Sequence, residues 1–258
     1  MNLELEGKVA LVTGGSRGLG RAIALRLAEE GCGLGICARG EEALREVAEE
    51  VRGMGRPVYH QALDVTEAQG AGAFVEQAAQ ELGGIDILVN NVGGNRRVAF
   101  AESSDRDWQE ILEVNFHSHV RVSRAVVPHL RQRPAGVILF IASIFGREAG
   151  GPGLSIYNTT KSALISLAKI MALELAPEGI RVNSIAPGSI RFPGGSWDRR
   201  CREDPEGMAE FIRANLPLGR FGTAEELADV VAFLASPRAS LVTGACLNID
   251  GGQSHSLI

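Results

Sequence analysis

Tyr157 and Lys161 stand four residues apart in the run Tyr157-Asn158-Thr159-Thr160-Lys161. On a helix, residues at i and i+4 share a face. A free phenol has a pKa of ~10 and is a poor acid–base group at neutral pH. An ammonium beside it stabilises the phenolate and lowers that pKa, so the phenol can exchange a proton with a substrate oxygen. With 2 tyrosines and only 3 lysines in the chain, chance seldom produces this spacing. Upstream, Ile141-Ala142-Ser143-Ile144 places a hydroxyl at the end of an apolar run. There it can donate to an oxygen that gains charge, or simply cap a turn.

The second constellation is Thr13-Gly14-Gly15-Ser16-Arg17-Gly18-Leu19-Gly20, between a β-branched run and a helical pattern. Unpaired N–H groups at a helix N-terminus suit a pyrophosphate, and glycines let the backbone approach it. The strand before and the helix after raise this above an ordinary tight turn. The next strand decides which dinucleotide. An acid at its end suits the ribose hydroxyl of NAD, a cation the 2′-phosphate of NADP. Here it ends Cys37-Ala38-Arg39-Gly40, with no acid until Glu41. Arg39 and Arg17 together make NADP(H) the expected cofactor over NAD(H), although each arginine alone reads as a solvated surface residue.

These residues need elements to hold them. Apolar runs at Lys8–Thr13, Leu34–Ala38, Pro57–Ala62, Ile85–Asn90, Val137–Ala142, Ile180–Ala186 and Cys246–Ile249 read as seven strands. Helical patterns lie between several of them, at Gly18–Glu30, Glu41–Arg52, Glu67–Leu82, Ser155–Leu175 and Thr223–Ala235. Alternation of this kind predicts an α/β fold, a doubly wound parallel seven-stranded sheet of Rossmann type with helices on both faces. Ligands bind such sheets beyond the carboxyl ends of the strands, which is where the residues above fall. Gly188–Pro205 has no clear period and reads as a long loop, a lid or a disordered segment.

Length and charge bound the rest. A chain of 258 residues fits one α/β domain. With 45% hydrophobic and 22% charged residues it is globular, which excludes disorder and coiled coil. No apolar run approaches the ~18 residues of a membrane helix. The acidic start Met-Asn-Leu-Glu-Leu-Glu does not read as a signal or transit peptide. A net charge of −5 argues against nucleic acid as a partner. Cys32, Cys37, Cys201 and Cys246 fit no metal or redox spacing and read as free thiols of a reducing, cytoplasmic setting. His117 and His119 form a His-x-His pair, but i and i+2 do not share a helix face, so no metal is expected.

Taken together, these motifs resemble those of the short-chain dehydrogenase/reductase superfamily, in its branch of ~250-residue single domains. Thr13–Gly20 is similar to the family's TGxxxGxG, and Asp64-Val65 to its adenine-contacting pair. Asn90-Asn91-Val92-Gly93 is similar to NNAG, and Asn183 through Gly188, ending in Pro187-Gly188, to N-x-x-x-P-G. Asp250-Gly251-Gly252 is similar to the C-terminal signature. Asn115, Ser143, Tyr157 and Lys161 match the catalytic residues. The resemblance implies Tyr157 as general acid in carbonyl reduction and base in alcohol oxidation, with Ser143 polarising the substrate oxygen. It implies that Lys161 lowers the tyrosine's pKa and holds the nicotinamide ribose, and that Asn115 supports a proton relay. The implied cofactor contacts are Gly14, Ser16, Arg17, Gly18, Leu19, Gly20, Arg39, Asp64, Val65, Asn91, Val92, Gly93, Tyr157, Lys161, Pro187, Gly188 and Ile190. After Pro187-Gly188 the family usually has x-I-x-T, whereas this chain has Ser189-Ile190-Arg191-Phe192. Ile190 can still offer its backbone to the carboxamide, but the threonine hydroxyl is absent. The resemblance also implies a lid over residues 189–215 and a homotetramer built on the helices around Asp105–Leu130 and Ser155–Leu175 and the last strand.

The expected activity is hydride transfer between NADP(H) and a small carbonyl or secondary-alcohol substrate. The alternatives are an NAD-dependent alcohol dehydrogenase and a non-catalytic dinucleotide-binding regulator, which has no need for all four catalytic residues. A sugar-nucleotide epimerase or dehydratase would need a longer chain. Arg96, Arg97 and Arg147 follow strands four and five and could line the pocket rim for an anionic substrate. Against this, Gly188–Glu206 carries four arginines and four acids and is locally neutral.

Overall fold

The computed structural model describes residues 1–257. Its centre is one sheet of seven parallel strands in the order β3-β2-β1-β4-β5-β6-β7. These are β1 Val9–Thr13, β2 Gly33–Ala38, β3 Val58–Ala62, β4 Ile87–Asn90, β5 Gly136–Ile141, β6 Ile180–Pro187 and β7 Cys246–Ile249. The helices are α1 Gly18–Glu29, α2 Glu41–Gly53, α3 Ala68–Leu82, α4 Asp105–Leu112, α5 Ser118–Leu130, α6 Ser155–Leu175, α7 Ser196–Glu203, α8 Pro205–Asn215 and α9 Ala224–Ala235. The order reverses between β1 and β4, which opens a crevice at their carboxyl ends.

Both faces of the sheet are covered at its centre, so β1, β2, β4 and β5 carry no polar alternation. Ala10 and Val12 of β1 pack with Val137, Leu139 and Ile141 of β5 under α1, α2 and α9. Leu11, Ile138 and Phe140 pack on the other face against α3, α5 and α6. Burying each such large side chain contributes ~1.5–3 kcal/mol. Alternate residues thus serve two cores, and the strand ends are held level where the polar residues emerge.

Seven strands form where seven apolar runs lie, with boundaries moved by one or two residues. The segment Gly188–Pro205 departs from its reading as a loop. Ile190 makes a parallel bridge to Gly222, and Ser196–Glu203 is a helix followed directly by α8. Polar α7 has no apolar stripe to read. It is held instead by the Asp198 carboxylate, which accepts from Gly194 N at 3.0 Å and Arg202 Nη2 at 2.7 Å. Trp197 also stacks on Phe211 at 4.8 Å. Asp204 caps α8 by accepting from Gly207 N, with Pro205 in the first turn.

Candidate active site

The turn after β1 is tied to the end of β2. Gly14 N and Gly15 N both donate to Cys37 O, at 2.8 and 3.1 Å. Gly14 has φ +69° and Gly18 φ +55°, a region that favours glycine. A Cβ on Gly20 would overlap the Gly14 carbonyl oxygen and approach Asn91 Nδ2 at 2.5 Å. Only glycine lets α1 begin this close to the strand. Among the described residues no side chain caps the start of α1, which leaves its first N–H groups for an anion. Thr13 and Asn91 lock the turn to β4. Thr13 Oγ1 accepts from Asn91 N at 3.0 Å, and Asn91 Nδ2 donates to Thr13 O at 3.0 Å. This cradle, which any Cβ at Gly20 would fill, fits the phosphates of a dinucleotide.

Tying the turn to β2 brings Arg17 and Arg39 to one mouth. Both are exposed, and among the described residues neither makes an ion pair within 4 Å. Asp64 accepts from Thr66 N at 3.0 Å and Thr66 Oγ1 at 2.8 Å. Burial works to raise its carboxyl pKa, but the Thr66 bonds and the Arg39 charge outweigh that and hold it below the ordinary value. Val65 beside it is buried. Glu41, the first acid after β2, lies 3.7 Å from His60 Nε2 on β3.

A one-turn π-helix, Glu113–His117, interrupts the path from α4 to α5 and carries Asn115. Such bulges often sit at functional sites. Asn115 is fully buried. Its Oδ1 accepts from Gly94 N at 2.7 Å, and its Nδ2 donates to Gly94 O at 2.9 Å and Thr160 Oγ1 at 3.0 Å. The NNVG stretch after β4 is thereby joined to α6, the helix that carries Tyr157 and Lys161. Gly93 lies close to the same group, since a Cβ there would be 3.4 Å from Lys161 Nζ.

Ser143 follows β5 and its hydroxyl neighbours the Tyr157 side chain; its oxygen accepts from Phe145 N at 3.2 Å. The capping use of that hydroxyl is therefore present. Lys161 is buried, and its Nζ donates to Ile141 O at 2.9 Å. Its Nζ is 5.7 Å from the centre of the Tyr157 ring. Desolvation lowers the Lys161 pKa to about 8. The expected depression of the tyrosine by Lys161 is not found here. Burial pushes the Tyr157 phenol up, opposed by the Ser143 hydrogen bond, while the ammonium is directed to the Ile141 carbonyl.

Comparison with known proteins agrees with this geometry. A family profile described as enoyl-(acyl carrier protein) reductase matches residues 14–254. The 3-oxoacyl-[acyl-carrier-protein] reductase FabG of Thermotoga maritima is 37% identical over 250 residues, covering 97% of this chain and 99% of that protein. Dehydrogenase/reductase SDR family member 4 of Sus scrofa is 36% identical over 256 residues, covering 98% and 89%. The structure of L-sorbose reductase from Gluconobacter frateurii, complexed with NADPH and L-sorbose, superposes with a TM-score of 0.94 at 36% identity, covering 100% of both chains. The chain belongs to the short-chain dehydrogenase/reductase superfamily.

The remaining candidate residues lie at the end of β6, at the start of α1 and after β4 and β5. Pro187 ends β6, and Gly188 N donates to Ile249 O at 3.0 Å. In the Ile190 bridge, Arg191 N donates to Gly222 O and Gly222 N to Ser189 O. The backbone groups of Ile190 itself point away from that pairing. Ser16 and Leu19 lie within the glycine turn and at the start of α1, Leu19 partly buried on the core. Arg147 does not line a rim. Its Nη1 donates to Cys246 O at 3.1 Å and Asn248 Oδ1 at 2.7 Å, so it braces β7. Arg96 pairs with Asp107 and, at 2.8 Å, with Glu110.

Two contributors were not legible beforehand. Thr160, between Tyr157 and Lys161, accepts from Asn115 and donates to Tyr157 O at 2.9 Å. His119 is buried behind Val92, its Nε2 2.7 Å from Val92 O and its ring 6.1 Å from that of Phe140. A backbone carbonyl can only accept, so Nε2 carries the proton. Burial, and after it the Lys161 charge, lowers its pKa to about 3. The periodicity of α5, with His119 at i−3 and i−4 from Val122 and Ser123, was the available sign that this histidine faces inward.

Proposed function

We propose that this short-chain dehydrogenase/reductase is an NADP(H)-dependent reductase of a small carbonyl compound, with Tyr157 as its general acid. The observation that carries the reading is the meeting of Ser143, Tyr157, Lys161 and Asn115 beside an uncapped glycine-rich turn. Gly14, Ser16, Gly18, Leu19 and Gly20 would hold the pyrophosphate, Asp64 and Val65 the adenine, and Asn91, Val92 and Gly93 the adjoining ribose. Pro187, Gly188 and Ile190 would take the nicotinamide end, with the Ile190 backbone facing the carboxamide. When bound, NADPH supplies a hydride to the carbonyl carbon.

The Ser143 hydroxyl donates to the carbonyl oxygen as negative charge grows there. Tyr157 Oη passes its proton to that oxygen and completes the alcohol. Burial raises the Tyr157 pKa, which keeps the phenol protonated at neutral pH, as an acid must be. Lys161 then stabilises the phenolate until a proton returns, and Asn115 supports a water-mediated relay of that proton to Lys161. Residues 189–215 cover the site as a lid.

Arg17 and Arg39 support NADP(H) over NAD(H). Both are exposed, among the described residues neither makes an ion pair, and Glu41 lies beside His60. The L-sorbose reductase of similar fold was solved with NADPH. A four-subunit assembly is supported by Ile170 and Leu173 of α6, which are 50% and 64% exposed, and by Leu247 on the edge strand β7, 41% exposed. Among the described residues no helix is long and apolar enough to cross a membrane. Burial pushes the Cys32 and Cys37 thiols up to about 12, which suits inert thiols in the cytoplasm.

The test is a titration with NADPH and NADH followed by nicotinamide fluorescence, repeated on Arg39→Ala. Tighter binding of NADPH, weakened roughly tenfold or more by the substitution, is expected, since a hydrogen bond to a charged group contributes ~1.5–3 kcal/mol. Tighter binding of NADH would favour the NAD-dependent alcohol dehydrogenase, and binding of neither would favour a role without dinucleotide chemistry.

A further inference from the structure

Phe192 occupies the position where the superfamily usually has a threonine, and its ring lies against Gly18 of the phosphate turn. A Cβ on Gly18 would be 2.7 Å from Phe192 Cε2 and 2.8 Å from Cζ. A Cβ on Gly195 would meet the same two atoms at 2.9 and 3.0 Å. The ring is thus seated between two glycines, one from the cofactor turn and one from the entrance to α7. No other residue type at Gly18 leaves room for it.

The support beneath the ring is firm. Gly195 N donates to Phe192 O at 3.0 Å and closes a tight turn. Arg191 N donates to Gly222 O at 2.9 Å. Asp198 holds Gly194 N, Arg191 and Arg202, and Arg199 Nη1 donates to Gly194 O at 2.7 Å. Trp197 stacks on Phe211 and lies 5.2 Å from Phe221, with Arg200 over its ring at 5.1 Å. The backbone that carries Phe192 is thereby tied to α7 and, through Trp197 and Phe211, to α8.

We propose that Phe192 is a positioning residue that retains the dinucleotide: acting through Gly18, its ring walls the phosphate turn from solvent and couples cofactor release to opening of the α7–α8 segment. A threonine at this position would offer one hydroxyl. The ring offers none, but it excludes water beside the α1 N-terminus, where a lower local dielectric strengthens the N–H contacts to an anion. Affinity set by such a wall is read mainly in the dissociation rate. This inference rests on the proposed function, in which a dinucleotide occupies the turn.

The experiment is stopped-flow release of NADPH from the full chain, with excess NADP+ as the chase, for the unaltered protein, Phe192→Ala, Phe192→Thr, Phe192→Leu and Trp197→Leu. Release at least tenfold faster from Phe192→Ala and Phe192→Thr is expected, with the unaltered rate largely kept by Phe192→Leu. Trp197→Leu, which loosens the support and leaves the ring in place, is expected to accelerate release by a smaller factor. Should Phe192→Ala fail to fold, Phe192→Thr carries the comparison. Unchanged release from the alanine or threonine variant, in a protein that does bind NADPH, overturns this inference alone. No NADPH binding by the unaltered protein overturns the proposed function and this inference with it.

Discussion

Asn115 grips Gly94 by both backbone groups, its Oδ1 accepting from Gly94 N at 2.7 Å and its Nδ2 donating to Gly94 O at 2.9 Å. The same Nδ2 reaches Thr160, so one side chain fixes the stretch after β4 to the helix of Tyr157 and Lys161. A π-helical turn makes this possible by turning Asn115 inward, with Ser118 Oγ donating to Val114 O at 2.7 Å within the bulge.

Replacement Asn115→Ala leaves both Gly94 backbone groups without their partner in a partly buried setting. Each unsatisfied group costs ~1–3 kcal/mol. The variant should unfold at a clearly lower urea concentration and bind NADPH more weakly, because the released stretch contains Val92 and Gly93. Equilibrium urea unfolding with a parallel NADPH titration checks both.

His119 gives the stability a defined pH dependence. Its pKa falls from 6.5 to about 3 on folding, so between these values the unfolded chain binds a proton that the native chain does not. Stability from this residue is complete above the unfolded pKa and declines as pH falls, by ~1.4 kcal/mol per pH unit. Between pH ~6.5 and ~5 the loss is about 2 kcal/mol. His119→Gln, which keeps an N–H for Val92 O but cannot titrate, should unfold with a much flatter pH dependence over that interval. Urea midpoints at several pH values decide it.

If Lys161 supports the Tyr157 phenolate as proposed, its titration sets an alkaline limit on carbonyl reduction. Burial lowers its pKa to about 8, so the free enzyme loses the ammonium above that pH. The phenolate left on Tyr157 after proton transfer is then unsupported. The profile of kcat/KM, which reports the free enzyme, should fall above about pH 8. A Lys161→Met variant should show low activity with no such inflection.

Much of this molecule was legible in the chain. Apolar runs announced parallel strands, and β1 through β7 form there, buried at the centre of the sheet and partly exposed at β3 and β7. Tyr157 and Lys161 at i, i+4, and the glycines before α1, were readable because local geometry alone dictates those spacings. Legibility failed where distant parts decide. Polar α7 depends on Asp198 and on Trp197 stacking with Phe211, and no apolar period in Ser196–Glu203 records that. The π-turn around Asn115 and the inward placement of His119 depend on tertiary packing. Arg147 reads as a rim residue by its position after β5, yet its partners are on β7, 99 and 101 residues away in sequence.

As proposed, Tyr157 donates the proton to a carbonyl reduced by NADPH. The most direct test of this is Tyr157→Phe, assayed for NADPH binding and for turnover of a carbonyl substrate found by screening the unaltered enzyme. Phenylalanine keeps the ring and removes only the hydroxyl. The account predicts NADPH binding close to that of the unaltered protein and turnover lower by ~10²-fold or more, the range for a general acid. Turnover that survives the substitution undiminished would contradict it.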